Sequence, residues 1–309
     1  MLFIDTDPGV DDALAILMAQ ALAPQRIAAL GIAAGNVGLT HTTANALKLV
    51  ELLDADIPVH PGAPQPLVRA APASAAFVHG RDGFGDTGML PARRQAENEH
   101  AALALLRLSH RHAGELTLLA LGPLTNLALA LALDPGLPTR VQRLVVMGGA
   151  VTGQGNTSVS AEFNIGFDPE AAHAVLARWG RYTLVDWELC VRHAIAFERF
   201  EQWLAGGDAR AAFYAAISRK VRAFSHAQLR AGLVLADAVA MAVALQPQIV
   251  TASHVRALSV ELDGSHTRGA TVVDWAQRSG APAQAEIVQA IDQHAFESML
   301  QRALGVTRV

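Results

Sequence analysis

The chain is nearly without cysteine. Cys190 stands alone among 309 residues, so no disulfide can close within the chain, and neither a zinc knuckle nor a Cys-X-X-Cys redox pair can be built. Lysine is almost as scarce, with only Lys48 and Lys220. A formal net charge of −4 and the absence of any basic run leave no electrostatic footprint for a nucleic acid partner. Long hydrophobic runs are also missing: charge, Gly or Pro interrupts each apolar stretch before it reaches bilayer length, and the opening "MLFIDTD" carries no basic leader. A soluble cytoplasmic protein with no membrane partner is therefore expected. No Ser-, Pro- or Gly-rich linker and no repeat divides residues 1–309, so one domain is expected, and a 51% apolar content is ample for its core.

What is present is an alternation of β-type and helix-type runs. "LFID" precedes a helical pattern over 11–23, "IAALGIAA" one over 40–54, "LTLLAL" one over 124–133 and "RLVVMGG" one over 169–179, before "YTLVDW" closes the series. That order predicts an α/β fold: a mostly parallel, Rossmann-like central sheet flanked by helices, with a helical C-terminal part from about 198 and short β-type runs after 255. Ligands of such sheets bind beyond the carboxyl ends of the strands. The residues that follow the strand runs are unusually polar or small, namely Asp5 and Asp7, Gly35-Asn36, Gly122-Pro123 and Gly148-Gly149. Two connections, 61–97 and 148–167, are of the length that marks functional or mobile loops.

"IDTDPGVDDALAI", residues 4–16, places four aspartates in eight residues. Asp11 and Asp12 fall in a first helical turn, where carboxylates offset the positive end of the helix dipole, but that does not account for Asp5 and Asp7 on the strand side of the turn. Carboxylates facing one another in a partly dry crevice must take up protons or bind a cation. Oxygen donors without His or Cys point to a hard ion, Ca²⁺ or Mg²⁺; the crowding on a flexible turn leans to Ca²⁺, and spacing alone leaves both open. Asp237 is the only ionisable residue between Arg230 and Gln246, where it either caps a helix beginning at Ala238 or needs a metal or other partner. The loop "GNTSVSAEFN" adds Asn156, Glu162 and Asn164, donors and acceptors suited to sugar hydroxyls.

Taken together, "DTDPGVDDALAI", "AAGN" at 33–36, "ALGPLTNLA" at 120–128, "VVMGGAVTGQGNTSVSAEFNIGFDPEAA" at 145–172 and the helix bearing Asp237 resemble the calcium-dependent, or inosine-uridine preferring, nucleoside hydrolases. The resemblance implies hydrolysis of the N-glycosidic bond of ribonucleosides, with Ca²⁺ held by Asp7, Asp12, Asp237 and the main-chain carbonyl of Leu121. It implies that Asp11 and Asn36 face the ribose 2′ and 3′ hydroxyls, Asn164 the 3′ hydroxyl, and Asn156 with Glu162 the 5′ hydroxyl, with Met147 and Phe163 beside sugar and base. Asp7 would serve as general base on a water attacking C1′, with Asp11 beside it in the catalytic set. A homodimer or homotetramer and a role in nucleoside salvage are implied in the same way.

One departure stands out. Many members carry a His immediately before the aspartate matching Asp237, to help the base leave, and this chain has Ala236 there. His79 matches a His of the base-side loop, and "DWELCV" brings Trp187, Glu188 and Cys190 toward the base, as in a subgroup with a cysteine at that place. Two other classes compete. A haloacid-dehalogenase-type phosphatase also begins with two aspartates one residue apart, but Pro8-Gly9 and the Asp11-Asp12 pair depart from that motif, and the nearest basic residue in sequence is Arg26. A Ca²⁺-dependent ribonucleoside-binding protein without turnover is motivated by Ala236, whereas the presence of Asp7 argues for turnover.

Overall fold

The computed structural model describes residues 1–71, 76–228 and 230–306. Its strands are β1 (Leu2–Thr6), β2 (Ile27–Ile32), β3 (Val59–Pro61), β4 (Leu116–Ala120), β5 (Val141–Met147), β6 (Tyr182–Val185), β7 (Val250–Arg256), β8 (Leu258–Val260), β9 (Thr271–Val273) and β10 (Ala285–Ile291). Eight of them form one sheet in the order β3-β2-β1-β4-β5-β6-β10-β7, parallel throughout except for the β10–β7 edge pair, and β8 with β9 makes a separate antiparallel ribbon. Every residue of β1 and of β4 is buried, as continuous apolar runs covered on both faces require.

The chain leaves β1 toward β2 and β3, then returns to lay β4 on the other side of β1, with Asp5 registered against Gly31 of β2 and Ala120 of β4. The reversal opens a crevice at the carboxyl ends of β1 and β4, the topological switch point of a doubly wound sheet. Helices Val10–Leu22, Leu39–Leu52, Ala236–Leu245 and Gln293–Ala303 belong to one apolar layer, and Ala101–Arg111, Thr125–Leu133 and Pro169–Arg178 to the other. Helices Val10–Leu22 and Ala236–Leu245 are apolar almost all round, as core helices are, and they pack on each other. That packing joins the N-terminal aspartate motif to Asp237.

The β-helix alternation read from the sequence is present, and the C-terminal part is more than helical. Its "AEIVQAI" run enters the main sheet as β10 beside β6, and β7 pairs with β10 at the edge. β3, β7 and helix Ala101–Arg111 carry no signal read above. Three residues are too few to show alternation, and β7, an edge strand, is largely half-buried or exposed. Among the described residues no helix is long and apolar enough to cross a membrane.

Candidate active site

The site is built where β1 turns through Pro8-Gly9 into helix Val10–Leu22. Asp12 holds that turn: its Oδ2 accepts the Gly9 N–H at 2.9 Å, and its Oδ1 accepts the Asp7 N–H at 3.3 Å and the Thr6 hydroxyl. Asn36, beyond β2, donates its side-chain amide to Asp12 Oδ2 at 3.1 Å and to the Asp7 carbonyl at 3.2 Å, and its backbone N–H to Asp7 Oδ2 at 2.6 Å. The Asp7 carboxylate presses on two glycines. A Cβ at Gly35 would fall 2.0 Å from Asp7 Oδ2, and one at Gly122 would fall 2.4 Å from Oδ1, so the close approach after β2 and β4 demands glycine. Asp5 stays in the sheet, with Oδ2 accepting from Asn126 at 3.0 Å and its other oxygen buried without a partner; burial pushes its carboxyl up to about 8.

Oxygens of Asp11, Asp12 and Asp237 lie within 4.8 Å of one another. Burial and then the neighbouring carboxylates push the Asp7 and Asp237 carboxyls well above their usual range, and burial with the Asp11 charge takes Asp12 to about 6. Among the described residues no arginine or lysine pairs with any of them. The Asp12 carboxyl lies close enough to that of Asp237 to raise it further, and Asp11 Oδ1 is buried without a hydrogen-bond partner. An oxygen-only donor set with an orphaned acceptor and no opposing charge fits a hard divalent cation. Asp7 lies outside the tight trio, and the Leu121 carbonyl accepts the Asn164 side-chain amide at 2.6 Å.

Above the carboxylates opens a cavity of about 470 Å³, within the range of small-molecule sites. All the residues named as site candidates from the sequence line it except Asp7, Asp12, Glu188 and Cys190. Asp7 and Asp12 are buried beneath the lining. The Glu188 carboxylate accepts the N–H groups of Thr152 at 2.9 Å and Gln154 at 3.0 Å, so it fastens the long loop after β5. Cys190 is a core residue with Sγ 3.8 Å from the Ala236 carbonyl, and burial pushes its thiol well up.

The polar rim is fixed by its own hydrogen bonds. Glu162 caps helix Phe163–Phe167, accepting from Asn164 N at 2.9 Å, Gly149 N at 3.0 Å and Ile165 N at 3.1 Å, and burial lifts its carboxyl to about 7. Asn156 Oδ1 accepts the Phe163 N–H at 2.8 Å. Asn164 donates to the Met147 carbonyl at 3.2 Å as well as to Leu121. His79 Nδ1 accepts the Val10 N–H at 3.2 Å, which puts the ring proton on Nε2, and burial holds the imidazole neutral, with its pKa lowered to about 4. Ala236 lines the cavity with only a methyl group. Sequence reasoning missed Tyr214, Ser225, Arg230 and Val234, which line the far end from the C-terminal helical part. None belongs to a local motif; only Tyr214, one of two tyrosines and buried, had a compositional signal.

A buried carboxylate cluster that could hold a metal ion, opening into a cavity at the switch point of a Rossmann-like sheet, marks an α/β enzyme. The chain belongs to the inosine-uridine preferring nucleoside hydrolase family, whose model matches residues 2–298. It is 36% identical over 296 residues to the non-specific ribonucleoside hydrolase RihC of Salmonella enteritidis PT4, covering 96% of this chain and 94% of that one. Among solved structures it resembles an inosine-guanosine nucleoside hydrolase (TM-score 0.92, 33% identity, 99% of each chain) and the plant nucleoside hydrolase PpNRh1 (TM-score 0.91, 30% identity, 99% of each chain).

Proposed function

We propose that the protein hydrolyses the N-glycosidic bond of ribonucleosides to free base and ribose, with Ca²⁺ held by Asp7, Asp12, Asp237 and the Leu121 carbonyl. The observation that carries this reading is the buried, oxygen-only carboxylate cluster that opens into a cavity rimmed by Asn156, Glu162 and Asn164. The names of its relatives, all ribonucleoside or nucleoside hydrolases, supply the substrate class. Several carboxylates on a turn-and-helix start favour Ca²⁺, with its larger and more adaptable shell, over Mg²⁺.

A bound Ca²⁺ would supply a hard Lewis acid that orders vicinal hydroxyls and acidifies a water. Asp7 takes up the water's proton, and Asn36 with the two glycines keeps its carboxylate in one orientation. Asp11, with an unpartnered oxygen, accepts from a ribose hydroxyl, and the rim residues Asn156, Glu162 and Asn164 orient the rest of the sugar. As the C1′–N bond lengthens, the buried carboxylates stabilise the positive charge on the sugar. Met147 and Phe163 pack beside it, and Trp187 and His79 flank the base. One domain over residues 1–309, a cytoplasmic location and a homodimer or homotetramer complete the reading, the last checked by sedimentation.

The test is release of reducing sugar and free base from a panel of ribonucleosides, with Ca²⁺ and after exhaustive chelation. Release that requires Ca²⁺ is expected. Intact nucleosides in the presence of folded, Ca²⁺-saturated protein would overturn turnover and leave the binding-only reading that Ala236 motivates.

A further inference from the structure

The far end of the cavity holds a feature that neither the metal nor the sugar explains. Among the described residues Arg230 is the one arginine or lysine lining the cavity, and its guanidinium carbon sits 5.3 Å from the centre of the Trp187 ring. It is half-buried, and among the described residues no carboxylate pairs with it. A partly desolvated guanidinium without an anion is costly, and burial lowers its pKa. Such a group is retained where something anionic or strongly accepting meets it.

Both partners are held in place. Asp186 caps the helix that begins at Trp187, accepting the Leu189 N–H at 3.1 Å, and the Trp187 N–H donates to the Gly149 carbonyl at 2.9 Å. The segment carrying Arg230 is tied down just after it by a reciprocal bridge, Ile195 N–H to the Leu233 carbonyl at 3.0 Å and Leu233 N–H to the Ile195 carbonyl at 2.8 Å. A cation stacked on an indole face keeps its in-plane N–H donors free for a third partner. Tyr214, which also lines this end, is a buried phenol whose pKa burial raises, His79 is neutral and lies against Asp11, and Ala236 offers no proton donor.

We propose that Arg230, stacked on Trp187, binds the carbonyl oxygen of oxo-substituted bases and stabilises the negative charge that the base acquires as it leaves. The inference rests on the hydrolase reading above and assigns the leaving-group function that Ala236 cannot perform. In the step itself the water oxygen bonds to C1′, its proton passes to Asp7, and the C1′–N electron pair stays on the base. The charge delocalises to the ring carbonyl facing Arg230. The released base takes a proton from solvent and Asp7 returns its own, so water and nucleoside balance to ribose and neutral base. An amino-substituted base presents N–H groups to the guanidinium donors and leaves as a poorer anion. Inosine should therefore outpace adenosine, and uridine should outpace cytidine.

The experiment compares wild type with Arg230→Met and Arg230→Lys, each Ca²⁺-saturated, on inosine, adenosine and p-nitrophenyl riboside, whose phenolate leaves without help. R230M should lose about 10- to 100-fold in kcat/KM on inosine, the worth of one charged hydrogen bond, while adenosine and the nitrophenyl substrate stay within about threefold. R230K should fall between, and the dependence of rate on leaving-group pKa should steepen in R230M. An unchanged inosine-to-adenosine ratio, or an equal loss on all three substrates, overturns the role of Arg230 while leaving hydrolysis standing. A wild-type protein that cleaves none of the three overturns the hydrolase reading itself. Thermal melts identify a variant that has lost its fold; if R230M is one, R230K and Arg230→Gln decide by the same ratio.

Discussion

Asp7 and the glycines beside it are matched parts. Gly35→Ala places a methyl carbon 2.0 Å from Asp7 Oδ2, a contact that can be relieved only by moving the carboxylate or the end of β2. Gly38→Ala is the control, because a Cβ there meets nothing within 4 Å. G35A should lose at least about 100-fold in kcat/KM, since a misplaced catalytic group forfeits much of its orientation advantage, while G38A stays close to wild type. Equal activities would show that Asp7 does not need its present orientation. Asp7→Asn should lose about 10²–10⁴-fold, the usual worth of a general base, measured as initial rates at saturating Ca²⁺. At this scale the sequence was legible where chemistry is local. The DTDPGVDD motif concentrates like charges of which the helix start accounts for Asp11 and Asp12 but not for Asp5 and Asp7, and the N-x-x-x-x-x-E-x-N pattern of the rim loop is equally compact. Arg230 and Tyr214 were not legible, because a single Arg or Tyr in a helical region acquires meaning only when tertiary packing points it at a cavity. Asn126 was hidden for the same reason. Within the "LTN" of its run it reads as an ordinary helix residue, yet it holds Asp5, the Ile32 carbonyl and the Ala63 N–H together.

Among the elements, the short helix Trp187–Arg192 shows how a cap can carry pH dependence. Asp186 caps it, and burial followed by contact with the Glu188 carboxyl raises Asp186 to about 7. Burial acts on Glu188 too, but the Gln154 and Thr152 donors outweigh it and hold Glu188 low, so the proton of the pair resides on Asp186. The folded pKa of Asp186 exceeds that of the unfolded chain, about 3.9, so folding takes up a proton. The stabilisation is complete below the unfolded value and is lost as pH rises through about 7. Asp186→Asn keeps the cap and removes the proton. In melts at saturating Ca²⁺, the drop in Tm between pH 5.5 and 8.5 should be smaller in D186N than in wild type by on the order of a few °C. Identical drops would show that Asp186 is ionised throughout. Element type was legible wherever the covered faces imposed a long apolar run, as in β1, β4 and helix Ala236–Leu245. It was illegible in β3 and β7, which lie at the two edges of the sheet and are fixed by pairing rather than by pattern.

For the molecule as a whole, the cluster links folding to cation binding. Asp7, Asp11 and Asp12 come from the first turn of the chain and Asp237 from beyond residue 230, and only the packing of two core helices brings them together. The unfolded chain has no such site, so a cation that binds the folded state stabilises it by about 2.7 kcal/mol at a hundred times its Kd, roughly 5 °C for a chain of this size. Without a cation the raised carboxyl pKa values mean that the folded state holds protons the unfolded state does not. Stability of the metal-free protein therefore falls as pH rises through the folded values, of which Asp12 stands at about 6. A cation must displace those protons, so its apparent affinity should increase with pH across the same range and level off above it. The gap in Tm between Ca²⁺-saturated and chelated protein should accordingly widen from pH 5.5 to pH 8.5, and titration calorimetry in buffers of different ionisation enthalpy should register proton release at the lower pH. Asp237→Asn, which removes a negative charge from the trio, should shrink the gap at every pH. A gap independent of pH, or one that survives D237N unchanged, would place the cation somewhere other than this cluster and remove the physical reason for gathering four aspartates at the end of the first strand.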